Sequence, residues 1–239
     1  MSFISAVIPA AGLGRRMCSD IPKTLISIDR TPLFVYTLNK VAQHPKINEV
    51  ILVASSEYIG LFKEKIKQYR IKKIKAVVRG GVLRQESVKN GLAHVEPKAD
   101  FVLIHDAVRP FINLDLISRL ISIAKKYGAV TLGVPAVATL KITEGNNNGN
   151  GSTFLVKKTL PRQKIWEIQT PQIFRKDWLF LAYQRLNHKK IFSDDAQMVE
   201  ELGFKVRITR GSFLNIKITN PEDLILATAL MRYIKKHGL

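Results

Sequence analysis

Over the first 135 residues, short apolar runs alternate with stretches in which apolar residues recur at helical spacing. Phe3–Ile8, Val50–Ala54, Ile74–Val78, Phe101–Ile104 and Val130–Val134 are uninterrupted apolar or nearly so, and each is short enough to be a strand buried on both faces. Between them the periodicity predicts helices over about 32–44, 57–70, 84–95 and 113–127. Repeated βα units of this kind imply a parallel sheet covered by helices on both faces, with a ligand site at the C-terminal strand edge. The chemically interesting residues do follow strands: a small-residue loop after the first, Gly80-Gly81 after the third, His105-Asp106 after the fourth and Pro135 after the fifth.

From about 136 to 165 the pattern breaks. Val137–Thr143 and Ser152–Thr159 are β-prone and flank a run of Gly and Asn from Glu144 to Gly151 that suits a turn or loop tip. They predict a projecting hairpin with little core of its own, which either packs on another subunit or projects into solvent. Beyond it the pattern predicts a short strand at Trp166–Gln169 and a helix near 175–187. A helix capped by Ser193 follows, with Asp194 and Asp195 in its first turn, then a strand at 205–210 and a closing helix at 222–236. No internal repeat is evident, and the expectation is one α/β domain over 1–239 with the arm inserted in it.

Composition narrows the class. With 46% hydrophobic residues in 239, the chain can bury one large core, and no window reaches the roughly 18 apolar residues of a membrane span. The single cysteine, Cys18, excludes an internal disulfide and a cysteine-based metal cluster. A soluble cytoplasmic protein is expected. The net charge of +19 raises nucleic acid as a partner. Its densest stretch, Lys63 to Lys75, reads instead as the outer face and end of a helix without interleaved aromatics, so a solvated surface is the expectation.

The loop Pro9-Ala10-Ala11-Gly12-Leu13-Gly14-Arg15-Arg16-Met17, closed by Pro22-Lys23, carries small residues beside cations. Small side chains let a polyphosphate approach backbone N–H groups, while Arg15, Arg16 and Lys23 supply positive charge. It has neither the G-x-x-x-x-G-K-[ST] spacing nor the third glycine and downstream acid of a dinucleotide loop. It therefore reads as a nucleotide loop of another kind or as an ordinary basic turn.

Taken with Gly80-Gly81, Arg84, Ser87-Val88, His105-Asp106-Ala107-Val108-Arg109-Pro110, Thr139, Lys141, Thr159 to Arg162, Gln169 to Phe174 and Asn215 to Thr219, that loop resembles one family over nearly the whole chain. The family is the 2-C-methyl-D-erythritol 4-phosphate cytidylyltransferases of the non-mevalonate isoprenoid pathway. The resemblance implies a Rossmann-like nucleotidyltransferase fold. It also implies a reaction in which the substrate's 4-phosphate attacks the α-phosphorus of CTP and releases pyrophosphate, assisted by a divalent metal, usually Mg²⁺.

The same resemblance implies the roles. Pro9, Ala10, Ala11, Gly12, Leu13 and Gly14 cradle the triphosphate, and Gly80, Gly81 and Ser87 border cytosine and ribose. Arg16, Lys23, Arg162 and Lys217 are catalytic cations, and Asp106 holds the metal. Asp106, Arg109, Thr139, Arg162, Thr170 and Lys217 contact the sugar phosphate, while Gln169 to Gln172 form a rigid turn at that pocket. His105 is expected to be a packed strand-end residue. The arm is expected to cross to a twofold partner in a homodimer.

Two positions depart from the family pattern: Val82 and Ala138 stand where many relatives carry acids. Cytidylyltransferases for another polyol phosphate, such as ribitol 5-phosphate, share the fold and loop. They tend to carry Ala-Gly-Gly and His-Asp-Gly where this chain has Ala10-Ala11-Gly12 and His105-Asp106-Ala107. A catalytically silent or nucleic-acid-binding relative is a third reading, which the intact set Arg16, Lys23, Asp106, Arg109, Arg162 and Lys217 opposes.

Overall fold

The computed structural model describes residues 2–12, 21–144, 153–185 and 190–237. Leu13 to Cys18, most of the Gly and Asn run of the arm, and the end expected for the 175–187 helix lie outside the described residues.

The chain forms β1 (Ile4–Pro9), a small pair β2 (Ser27–Ile28) and β3 (Thr31–Pro32), α1 (Leu33–Gln43), β4 (Glu49–Ala54), α2 (Ile59–Gln68) and β5 (Ile74–Arg79). There follow α3 (Arg84–Leu92), β6 (Phe101–Ile104), α4 (Leu114–Tyr127), β7 (Ala129–Pro135), β8 (Leu140–Glu144) and β9 (Leu155–Leu160). The last elements are β10 (Trp166–Arg175), α5 (Lys176–Arg185), α6 (Asp195–Glu201), β11 (Arg207–Arg210) and α7 (Pro221–His237).

Seven strands make the central sheet in the order β11-β7-β10-β6-β1-β4-β5. All neighbours are parallel except β10, which runs antiparallel to both β6 and β7. The strand alternation divides the core. Ile4, Ala6 and Ile8 of β1 join Val50, Leu52 and Ala54 of β4 on the face covered by α1, α2 and α4. Val7, Ile51 and Val53 point to the other face, under α3, α5 and α6. This period-2 split over fully buried strands is the reason the sequence reads as continuous apolar runs. On the α3 face, helix and sheet approach closely: a Cβ at Gly91 would lie 2.5 Å from Val7 Cγ1 and 2.8 Å from Val53 Cγ2.

After β1 the chain builds outward through β4 and β5, then returns to β6 on the other side of β1. The direction of winding therefore reverses between β1 and β6, and a crevice opens beyond their C-terminal ends, the position where such sheets bind ligands.

Two expectations are corrected. The strand predicted at Trp166–Gln169 continues to Arg175, with Gln172, Ile173 and Phe174 buried. Gln169 to Gln172 is thus not a turn: the register shifts between those two residues, an irregularity that admits a proline, which has no N–H for the ladder. The cap of α6 is Asp194, not Ser193, because Asp194 Oδ1 accepts the Gln197 N–H at 2.9 Å. Asp195 is the first residue of the helix.

Strands β8 and β9 pair antiparallel as a separate two-stranded sheet, with Leu140 opposite Leu160 and Lys141 opposite Thr159. The apolar side chains Phe154, Leu155 and Val156 are exposed there, Leu155 at 70%. On α2 only Phe62 is buried, so Lys63, Lys65 and Lys67 belong to a helix that presents most of its surface to solvent.

Candidate active site at the β1–β6 crevice

The crevice is assembled from strand ends held together by main-chain bonds. Ala10 donates to Val53 O at 2.7 Å, Gly80 to Ala54 O at 2.8 Å and Ala107 to Pro9 O at 3.4 Å. Ala10 therefore gives its N–H to the sheet rather than to an anion, although the residue lines the cleft. The loops after β1 and β5 are in contact: a Cβ at Gly80 would stand 2.4 Å from Ala11 Cβ and 2.8 Å from Ser87 Oγ. Behind Gly81, Glu86 Oε2 accepts the N–H groups of Val82 and Leu83 at 2.8 and 3.1 Å, and Ser87 Oγ accepts that of Gly81 at 3.1 Å. The Val82 side chain is 96% exposed, so the missing acid at this position removes no internal contact; Glu86 already provides a carboxylate to the loop.

Two clefts meet at Asp106. The first, about 140 Å³, is bordered by Pro9 to Gly12, Lys23, Gly81 and Ser87. The second, about 400 Å³, is bordered by Arg109, Gln169, Thr170, Gln172 and Asp194. Arg84, Asp106 and Lys217 line both. Asp106 is buried, with Arg84 Nε 3.1 Å from one carboxylate oxygen and Lys217 Nζ 2.7 Å from the other. Burial alone would push the Asp106 carboxyl up, but Arg84 and then Lys217 hold it well below the usual carboxylate range. It is ionised whenever the fold is intact at neutral pH.

The backbone that presents Asp106 is fixed from behind. Thr170 Oγ1 accepts the Asp106 N–H at 3.0 Å and lies 2.9 Å from His105 Nδ1. His105 Nε2 is 3.2 Å from Arg109 O, a carbonyl that can only accept. The network thus assigns the proton to Nε2, with the Thr170 hydroxyl donating to Nδ1. Complete burial pushes the His105 pKa down to about 3, so the ring is neutral and serves as a structural pin. The expectation of a packed strand-end histidine matches this arrangement. Arg109 is buried and donates to Asn215 O at 2.7 Å, while Asn215 Nδ2 donates to Thr170 O at 2.9 Å. Burial draws the Arg109 pKa down, Asp106 opposing that shift.

The structure therefore brings together Pro9, Ala10, Ala11, Gly12, Lys23, Gly81, Ser87, Asp106, Arg109, Thr170 and Lys217, with Gly80 on an adjoining groove. Leu13, Gly14 and Arg16 lie outside the described residues. Thr139 and Arg162 are exposed at the base of the arm and line neither cleft. Arg162 donates to Val137 O across that base. The sequence pattern by itself gives Arg84 no role and marks Asp194 and Asp195 only as helix-start acids. The signal for Arg84 was its place at the first turn of a helix opening behind the glycine pair.

A family model for 2-C-methyl-D-erythritol 4-phosphate cytidylyltransferase matches residues 4–233. A protein named 2-C-methyl-D-erythritol 4-phosphate cytidylyltransferase from Syntrophus aciditrophicus is 41% identical over 96% of each chain. One of the same name from Clostridium botulinum strain Loch Maree is 40% identical, over 97% of this chain and 98% of its own. A crystal structure described as 4-diphosphocytidyl-2C-methyl-D-erythritol synthase from Anaerococcus prevotii superposes with a TM-score of 0.82 at 32% identity, covering 97% of this chain and 96% of its own.

Proposed function

This chain belongs to the 2-C-methyl-D-erythritol 4-phosphate cytidylyltransferase family, and from that premise we propose how its residues divide the work of cytidylyl transfer. The reaction moves CMP from CTP to 2-C-methyl-D-erythritol 4-phosphate, giving 4-diphosphocytidyl-2-C-methyl-D-erythritol and pyrophosphate. The observation that carries the assignment of roles is the shared wall of the two clefts, where Arg84, Asp106 and Lys217 face both. One cleft is bounded by the nucleotide loops and the other by polar groups suited to a polyol phosphate.

Transfer between phosphates needs little covalent help from protein; alignment and fixed positive charge around phosphorus carry it. Pro9 to Gly12 line the triphosphate path, the motif continuing into Leu13 and Gly14, and Arg16, Lys23 and Lys217 would compensate the charge that grows as pyrophosphate departs. Gly80, Gly81 and Ser87 border the base, and main-chain groups there read cytosine. Arg109 and Thr170 bound the polyol phosphate pocket, and Thr170 also keeps Asp106 in place through the Asp106 N–H.

The described residues hold no cluster of three or more His, Cys, Asp or Glu that could cage a metal. One hard carboxylate beside a phosphate site fits Mg²⁺, which binds through one or two carboxylates together with substrate phosphates and water. Asp106 would hold that ion, which would supply positive charge to the phosphates.

The exposed apolar residues of the β8–β9 hairpin support a second copy of this chain as the surface that covers it, since a two-stranded sheet alone is marginal in water. Thr139 and Arg162 stand at the base of that hairpin, away from both clefts of their own subunit, so they would complete the polyol site of the partner. Among the described residues no helix is long and apolar enough to cross a membrane, in keeping with a cytoplasmic enzyme.

The test is an assay of purified protein with CTP, Mg²⁺ and a panel of polyol phosphates, scored by pyrophosphate release. Methylerythritol phosphate should be used well ahead of ribitol 5-phosphate. Equal or better use of ribitol 5-phosphate would overturn the substrate assignment.

A further inference from the structure

Arg84 opens α3 directly behind the Gly80–Leu83 loop, and its guanidinium spans two carboxylates. Nε lies 3.1 Å from Asp106 Oδ1, and Nη1 lies 2.7 Å from Asp195 Oδ2. Asp195 is 1% exposed, and its other oxygen accepts the Tyr183 hydroxyl at 2.6 Å. Neither Asp195 nor Tyr183 lines either cleft. Next to them, Asp194 accepts from Gln172 Nε2 at 2.6 Å, which ties the start of α6 to β10.

A buried carboxylate paired to an arginine is weak as a source of stability, because desolvation offsets most of the attraction. Its placement here has a different consequence. Arginine presents a planar fork that can be locked by two partners, whereas lysine carries a point charge on a flexible stem. The two cations on Asp106 are exposed to a similar degree, 31% for Arg84 and 36% for Lys217, but differ in how they are held: the Arg84 fork is also pinned by Asp195, while Lys217 meets Asp106 through a single ammonium.

We propose that Asp195 clamps Arg84 as the permanent partner of Asp106 Oδ1, leaving Oδ2 as the oxygen whose cation, Lys217, exchanges when the substrates enter. Arg84 and Asp195 are then positioning residues that act through Asp106. The helix α6 becomes part of the active site through an ion pair rather than through substrate contact. This rests on the cytidylyl-transfer reading and deepens it. The clamp accounts for the Asp106 carboxylate keeping one fixed orientation while its second cation moves to the phosphates.

The experiment compares wild type with Arg84→Lys, Asp195→Asn, the double variant and Tyr183→Phe. It measures kcat, KM for CTP and for methylerythritol phosphate, equilibrium CTP binding and the thermal midpoint. Removing a partner that orients an active-site ligand typically costs about 10–100-fold. Asp195→Asn should therefore lower kcat by about that factor, with KM and Kd for CTP within about twofold of wild type. Arg84→Lys keeps the charge but loses the fork, and it should match Asp195→Asn. The double variant should be no worse than either single, since both break one device. Tyr183→Phe keeps the ion pair and loses one hydrogen bond, so it should lower kcat only a few-fold on a well-folded protein; this variant keeps the test decisive if Asp195→Asn unfolds.

A folded Asp195→Asn protein with wild-type kcat would overturn the clamp. So would an Arg84→Lys enzyme of full activity, a double variant whose losses multiply, or, where Asp195→Asn does not fold, a Tyr183→Phe enzyme indistinguishable from wild type. If wild type itself transfers no cytidylyl group, both the functional reading and the clamp fail; an active wild type beside unimpaired variants removes the clamp alone.

Discussion

Lys217 Nζ lies 2.7 Å from Asp106 Oδ2, which joins a lysine just upstream of α7 to the carboxylate at the end of β6. Two residues far apart in the chain thereby line both clefts, while Lys23 lines the first alone. In the proposed mechanism Lys23 acts on the charge that develops during transfer rather than on ground-state binding. Loss of one preorganised electrostatic contact of this kind typically costs about 10²–10³ in rate. Lys23→Ala should show that loss in kcat with a much smaller change in CTP affinity. Near-normal kcat in that variant would remove Lys23 from the mechanism.

Gly80 sets how closely the loops after β1 and β5 approach, because a Cβ there would stand 2.4 Å from Ala11 Cβ. Gly80→Ala should force the β1 and β5 loops apart and weaken CTP binding by about tenfold or more, as misplacement of binding groups does in positioned sites. Calorimetric titration with CTP measures it. Unchanged affinity would mean that the loop contact has no part in nucleotide binding.

Base choice follows from the same loops. If main-chain groups around Gly80, Gly81 and Ser87 read cytosine, a base that leaves them unpaired is rejected by a large factor. The ratio of kcat/KM for CTP over UTP should exceed about 10². Comparable values for the two would contradict a cytosine-reading site.

His105 makes a prediction about acid stability. Burial holds its folded pKa at about 3, against 6.5 for the ordinary group, so below 6.5 the unfolded chain takes up a proton that the folded protein refuses. Stability therefore falls as pH drops from about 6.5 towards 3, by up to about 1.4 kcal/mol per pH unit from this residue. His44, drawn down by its own burial, adds in the same direction. Denaturant titrations from pH 7 to pH 5 should show a shallower slope in His105→Gln than in wild type. Equal slopes would mean that His105 is not the buried neutral ring described here. Since it does not titrate near neutrality, it should contribute no limb to the pH–rate profile there.

The proposed dimer would connect the arm to turnover. In the proposed dimer Arg162 completes the partner's site while Lys23 serves its own. Mixing Arg162→Ala subunits with Lys23→Ala subunits should then place both lesions in one site and leave the other intact, restoring up to about half of wild-type activity per heterodimer. Heterodimers that form yet regain nothing would place Arg162 in its own subunit's site.

Much of this arrangement was legible in the chain. The apolar runs marked the parallel strands because those strands are buried on both faces, and the reactive residues at their ends marked the crevice edge. The antiparallel path of β10 was hidden by Pro171, which reads locally as a turn although the ladder admits it at an irregularity. The roles of Arg84 and Asp195 were not legible for a different reason. Their pairing depends on α6 docking beside α3, and an aspartate in a helix's first turn has an adequate local explanation in the helix dipole. Thr170 shows the same limit: its hydroxyl faces the Asp106 N–H and His105, a relation that only the folded sheet creates.

Phosphorus NMR follows cytidylyl transfer itself. With purified enzyme, CTP, Mg²⁺ and methylerythritol phosphate, the three CTP resonances and the monoester resonance should give way to one coupled diphosphate pair and one pyrophosphate signal, in equal molar amounts. Retention of the monoester signal, with CTP unchanged or hydrolysed to CMP or CDP, would rule out cytidylyl transfer to this polyol phosphate.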